Sequence, residues 1–276
     1  MIALPIKGRR FYAALCVAGG YALIAFFALS ASAPAAAKEI NRAREYRSCM
    51  ALAKETPQEG FDAALSWRGL GGGDAAEHCL ATALIGLGQY QDAAGRLETL
   101  AGKTKENAKV KAGLLTHAAQ AWLLGGNPAR AEAVLTAALK LTPIDSALLV
   151  DRAQARAGQK DFKGALEDLN RSIEREDRRP DAYVFRATAY RFLDKFELAL
   201  ADLERALALS PKHPDGLLER GILRRLRNDK AGARQDWLAV LRAAPDTPAA
   251  EAARSNLEIM DVNPGQGPGR KSEDRP

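Results

Sequence analysis

The residues of this 276-residue chain that could do chemistry are few and scattered. His78, His117 and His213 are its only imidazoles, and nucleophilic or acid–base catalysis needs such a group held against a nucleophile and oriented by a third side chain. No spacing supplies that set. His213 stands in the segment Pro211-Lys212-His213-Pro214, which reads as a solvated turn. The cysteines Cys16, Cys49 and Cys79 form no CxxC or Cys/His pattern of a metal site. Gly71-Gly72-Gly73 lacks the following Lys-Ser/Thr of a phosphate loop and reads as a linker. The expectation is therefore no catalysis, no cofactor and no metal.

What must be positioned, then, is a surface, and composition says what kind of elements carry it. The chain is 47% hydrophobic and 27% charged, enough for a folded core, and its 6% aromatic content beside abundant Ala and Leu points to helices. The net charge of +6 is concentrated at one end: Lys7, Arg9 and Arg10 are the only charged residues in 1–37. Beyond them, 13 basic residues face 11 acidic ones over Lys38 to Pro143, and 24 face 23 over Ile144 to Pro276. So fine a mixture has no segregated basic stripe with interleaved aromatics, and nucleic acid is excluded as a partner.

Residues 1–37 carry a basic stretch, an apolar run from Phe11 to Leu29 and small residues ending Ala35-Ala36-Ala37, the order of an export signal. The apolar run is longer than the roughly 7–15 residues of a cleaved signal and close to the roughly 20 that span a bilayer. A cleaved signal peptide and an uncleaved signal anchor both fit; the second would tether the protein to the inner membrane. Either places the body in the periplasm. Cys16 does not follow the residues of a lipoprotein signal, so the exported part retains Cys49 and Cys79, an even number in a disulfide-permissive compartment.

Internal repetition is the strongest signal. Pro143, Pro211 and Pro245 fall into one register with a period of 34, and Asp177 takes the missing place. With these at position 32, repeats begin at Ala112, Ser146, Pro180 and Pro214. Position 8 is then Ala119, Ala153, Ala187 and Gly221; position 20 is Ala131, Ala165, Ala199 and Ala233; position 24 is Leu135, Leu169, Leu203 and Trp237. Two antiparallel helices approach closely only where small residues face each other, and large residues fill the space between. Upstream, a repeat starting at Asp74 keeps the pattern, with four extra residues expected in a loop near Gly102 to Asn107.

These positions resemble the tetratricopeptide repeat family, which favours small residues at 8, 20 and 27, large ones at 4, 11, 17 and 24, and proline at 32. The resemblance implies an all-α, right-handed α-solenoid of about five to six helix pairs. The expected division is an irregular first pair over 38–73, with helices at Glu39 to Ala53 and Phe61 to Trp67 parted by Thr56 to Gly60. Repeats follow at 74–111, 112–145, 146–179, 180–213 and 214–247, then a capping helix over 248–261 and a disordered tail over 262–276. Position 11 departs from the family at Arg156 and Arg224.

Three sets of residues follow from that register. Arg152, Arg186 and Arg220 hold position 7 and Asp168, Asp202 and Asp236 position 23, sites that lie opposite each other in a helix pair. An internal ion-pair ladder accounts for both residue types, whereas a ligand-binding arginine row accounts for one. With Arg44 starting the first pair, Cys49 and Cys79 share position 6 of successive first helices, which predicts a disulfide. Family members bind partners along positions 2, 5, 9, 12 and 13 of their first helices. Here these give Gln120, Gln154, Thr188, Arg191, Phe192, Arg225 and Leu226, and the expectation is a protein or peptide partner with an acidic or carboxylate-ended segment.

Overall fold

The computed structural model describes residues 41–262. Its thirteen helices among the described residues run in chain order: α1 (Arg42–Glu55), α2 (Pro57–Gly69), α3 (Gly73–Gly86), α4 (Tyr90–Lys103), α5 (Ala108–Leu124), α6 (Pro128–Leu141), α7 (Ser146–Gly158), α8 (Phe162–Arg175), α9 (Pro180–Phe192), α10 (Phe196–Leu209), α11 (Pro214–Leu226), α12 (Lys230–Ala243) and α13 (Pro248–Val262). Each odd-numbered helix up to α11 packs antiparallel against the next, and α13 closes the stack against α11 and α12. Of the tail expected over 262–276, Val262 instead ends α13, and residues 263–276 lie outside the described residues, as does the signal segment 1–37. Among the described residues no helix is long and apolar enough to cross a membrane.

Local chemistry sets the connections. From α3 to α12 each pair is joined by a three-residue turn whose middle residue has positive φ: Gly88, Gly126, Lys160, Asp194 and Asn228. The turn is closed as in the Lys160 example, where the amide of Asp161 donates back to the carbonyl of Arg156 at 2.9 Å. In three of the five turns the third residue also caps the next helix with its side chain, Asn127 accepting from the amide of Arg130, Asp161 from that of Gly164 and Asp229 from that of Gly232. Between pairs the loops 104–107, 142–145, 176–179, 210–213 and 244–247 are all four residues long, and Pro180, Pro214 and Pro248 open their helices where no amide donor is needed.

Two sequence expectations are corrected here. The four extra residues do not lengthen the loop near Gly102 to Asn107; they form an additional N-terminal turn of α5, Ala108 to Lys111, capped by Asn107. Four residues are close to one helical turn, so the insertion keeps the buried face in phase. Likewise Thr56 alone separates α1 from α2, because Pro57 begins a helix rather than a break.

The core is one small-residue seam repeated along the stack. Ala81, Ala119, Ala153, Ala187 and Gly221 on the first helices, and Ala93, Ala131, Ala165, Ala199 and Ala233 on the second, are all buried, with Leu97, Leu135, Leu169, Leu203 and Trp237 filling the layers between them. The last repeat trades a methyl for a ring: a side chain on Gly221 would collide with the buried Trp237 indole, which donates to the carbonyl of Leu218 at 3.2 Å.

Candidate interaction surface

First helices of successive pairs touch (α5 with α7, α7 with α9, α9 with α11), while each second helix reaches mainly the first helix of the next pair. The stack therefore curves with its first helices on the inner wall. On that wall positions 2, 6, 9 and 13 share one face, being three or four residues apart.

The Arg and Asp residues of positions 7 and 23 lie between helices, off this wall. Arg152 meets Asp168 in a bidentate pair at 2.8 and 2.6 Å, Arg186 meets Asp202 at 2.8 and 2.7 Å, and Arg220 meets Asp236 at 3.0 and 2.7 Å. Arg152 also donates to Thr136 and Arg186 to Asn170, each on the second helix of the preceding pair, so these arginines bind repeat to repeat. Position 11 explains itself in the same frame: Arg156 lies 3.1 Å from Asp168 and Arg224 lies 2.9 Å from Asp236. The two departures from the family pattern are second cations on the buried carboxylates, and only Asp202, opposite Tyr190, does without one. Bonding to Asp202 raises the Arg186 pKa further.

Of the residues expected to bind a partner, the structure leaves some free and occupies others. Gln120 is exposed and Gln154 half-buried, both on the inner wall. The Thr188 hydroxyl donates to the carbonyl of Val184 at 3.1 Å. Arg191 is a correction: it is ion-paired with the buried Glu219 of the next first helix and lies over the Phe192 ring, so it is not a free groove cation. Sequence spacing gave no sign of this, because the partner is in another repeat. Phe192 stacks on Phe162 with centroids 4.5 Å apart, yet 52% of it stays exposed. Leu124 at 58% and Leu226 at 37% are likewise exposed at position 13, which Gly158 occupies in α7. Arg225 is half-buried and has no ion-pair partner among the described residues.

The histidines also differ from expectation. Rather than lying apart, His78 and His117 are joined through Nε2 and Nδ1 at 2.9 Å, and the Tyr46 hydroxyl meets the other His78 nitrogen at 2.7 Å. Three successive first helices are thereby linked on the inner wall. Burial and then the neighbouring imidazole push His78 down to about 4, and burial followed by the Lys54 charge lowers His117. His213 is no solvated loop residue: it caps α11 by accepting from the amide of Gly216 and holds Asp181 at 2.8 Å, a contact that raises its pKa. Beside the Tyr46 cluster, Cys49 and Cys79 are bonded as a disulfide with Cα atoms 6.1 Å apart. No group of three or more metal-binding side chains converges among the described residues.

Comparison with known proteins follows the same lines. Residues 123–183 and 186–248 match the family model described as tetratricopeptide repeat. Among solved structures, the chain is similar to MamA (residues 41 to the end) from Desulfovibrio magneticus RS-1, at 18% identity over 63% of this chain and 97% of that one, with a TM-score of 0.50. It is similar to a double mutant of MamA RS-1 at 19% identity, over 66% and 96% of the two chains, also with a TM-score of 0.50. At these identities the likeness is one of fold. No curated protein matches the sequence.

Proposed function

The chain belongs to the tetratricopeptide repeat family, and from that premise we propose that it is a protein-interaction scaffold of a bacterial cell envelope that binds an extended partner segment along its first helices. The observation that carries the reading is the inner wall itself. Leu124, Phe192 and Leu226 remain exposed there at one shared register position, on the helices that also carry or flank the amides of Gln120 and Gln154, whereas other exposed apolar side chains such as Leu70, Ile144 and Leu198 fall at scattered positions in loops and second helices. Peptide recognition needs this combination of apolar anchors and groups able to hydrogen-bond a main chain. The fold is typically that of scaffolds without catalysis of their own, and we assign none here. The envelope location rests on the order of charges and apolar residues in 1–37, with either a cleaved signal or a membrane tether.

Photo-crosslinking residues placed at Gln120, Gln154 and Arg225 in cells should trap one defined protein, while the same probe at the exposed second-helix positions Glu167 and Arg205 should not. Equal adducts from both faces, or none from the inner wall, would remove the groove as the site. Alkaline phosphatase fused after Lys38 should be active; an inactive fusion with the protein in the cytoplasmic fraction would remove the envelope assignment.

A further inference from the structure

We propose that the partner segment is bipolar: a Lys or Arg side chain seats on Asp151, an Asp or Glu side chain seats on Arg225, and the apolar residues between them pass Phe192 on α9, with Leu226 beside the second charged site. This inference rests on the reading that the inner wall is the binding surface. It follows from an inventory of charge on that wall. Glu219 is neutralised by Arg191 and Asp181 is held by His213. Asp145 spends its carboxylate capping α7, accepting from the amides of Ala147 and Leu148, and Arg179 donates to Glu176 and Ser146. Among the described residues of α7, α9 and α11, what remains half-buried and without an ion pair is one anion, Asp151 at position 6 of α7, and one cation, Arg225 at position 12 of α11.

Asp151 is not in the comfortable state of a solvated surface charge. Burial, reinforced by the carboxylates of Asp145 and Asp181 and only partly offset by Arg179, raises Asp151 to about 6. A half-buried carboxylate with no donor keeps the desolvation cost of its site, and a cation delivered by a partner offsets it. The register sets the spacing. Asp151 and Arg225 are two first helices apart, roughly 19 Å at about 9–10 Å per helix. They also differ by six positions along the helix axis, about 9 Å. The resulting separation of roughly 21 Å corresponds to about six residues of extended chain.

The test uses the exported protein and five fluorescein-labelled synthetic peptides that share an Ala/Leu sequence. Their two charged sites, six residues apart, carry Lys then Glu, Glu then Lys, Lys and Lys, Glu and Glu, or Gln and Gln. Fluorescence anisotropy should give at least one bipolar order a Kd about tenfold below both like-charged peptides and the neutral one. Asp151→Lys should transfer the preference to the doubly acidic peptide, and Arg225→Glu to the doubly basic one, with helicity unchanged. If Asp151→Lys does not fold, Asp151→Asn should erase the preference for Lys at the first site.

Binding of all five peptides alike, untouched by these variants, would overturn the bipolar inference while leaving the inner wall as the site. Binding of none would overturn both readings. Tighter binding of a peptide made of residues 263–276, or a dimer that these variants dissociate, would make the occupant the chain's own tail or a second copy and overturn the inference.

Discussion

Removing Arg186 should destabilise the protein more than removing Arg152, although the two residues hold the same repeat position and the same bidentate geometry. In Arg186→Ala, Asp202 loses both hydrogen bonds, at 2.8 and 2.7 Å, with only 9% of its side chain exposed and no second cation in reach. Leaving a buried charge without its partner costs about 3–5 kcal/mol. In Arg152→Ala the corresponding Asp168, exposed by only 1%, still has Arg156 at 3.1 Å, so the carboxylate stays compensated and the loss should be about 1–2 kcal/mol. Urea unfolding followed by far-ultraviolet circular dichroism would report the difference as separated midpoints. Two further variants fix the cause: Arg186→Ala combined with Tyr190→Arg, which copies the neighbouring repeats, should recover part of the loss, and so should Arg186→Ala combined with Asp202→Ala. Equal losses for the two single variants, together with no recovery in either double variant, would show that the ladder contributes by packing rather than by charge.

Gly221→Ala should cost about 1–3 kcal/mol because its methyl group meets the Trp237 ring, and Trp237→Leu in the same chain should relieve the clash, since the other repeats pair Ala with Leu; additive losses in a double-mutant cycle would reject that coupling. His78 has its pKa lowered on folding, so the unfolded chain binds the proton more tightly; the stability this group supports is intact above about 6.5 and falls as pH drops towards about 4. The His78→Gln variant should have a flatter acid limb in pH-dependent unfolding, and an identical limb would remove His78 as its source. Reduction of Cys49–Cys79 opens a loop of sequence separation 30 and should lower stability by about 3–4 kcal/mol in the first two helix pairs; two free thiols in the purified exported protein, found by mass spectrometry, would contradict the bond.

The period of 34 and the small residues at positions 8 and 20 determined the fold, because a helix pair that repeats must present the same close contact each time. The Arg and Asp positions were legible for the same reason: a constant separation of 16 residues, written three times, reports an interaction inside one repeating unit. Only the tertiary structure decided what happens between units. Arg191 finds Glu219 28 residues on, Tyr46 finds His78 after 32, and His78 finds His117 after 39, the last across the extra turn of α5. Each such contact occurs once, at its own spacing, and so leaves no periodic trace. It depends on how far the stack rotates from one pair to the next, a quantity set by side-chain packing across the whole interface. The same rotation decides which charges on the inner wall neutralise one another, and therefore why Asp151 and Arg225 stay unpaired while Arg191 does not.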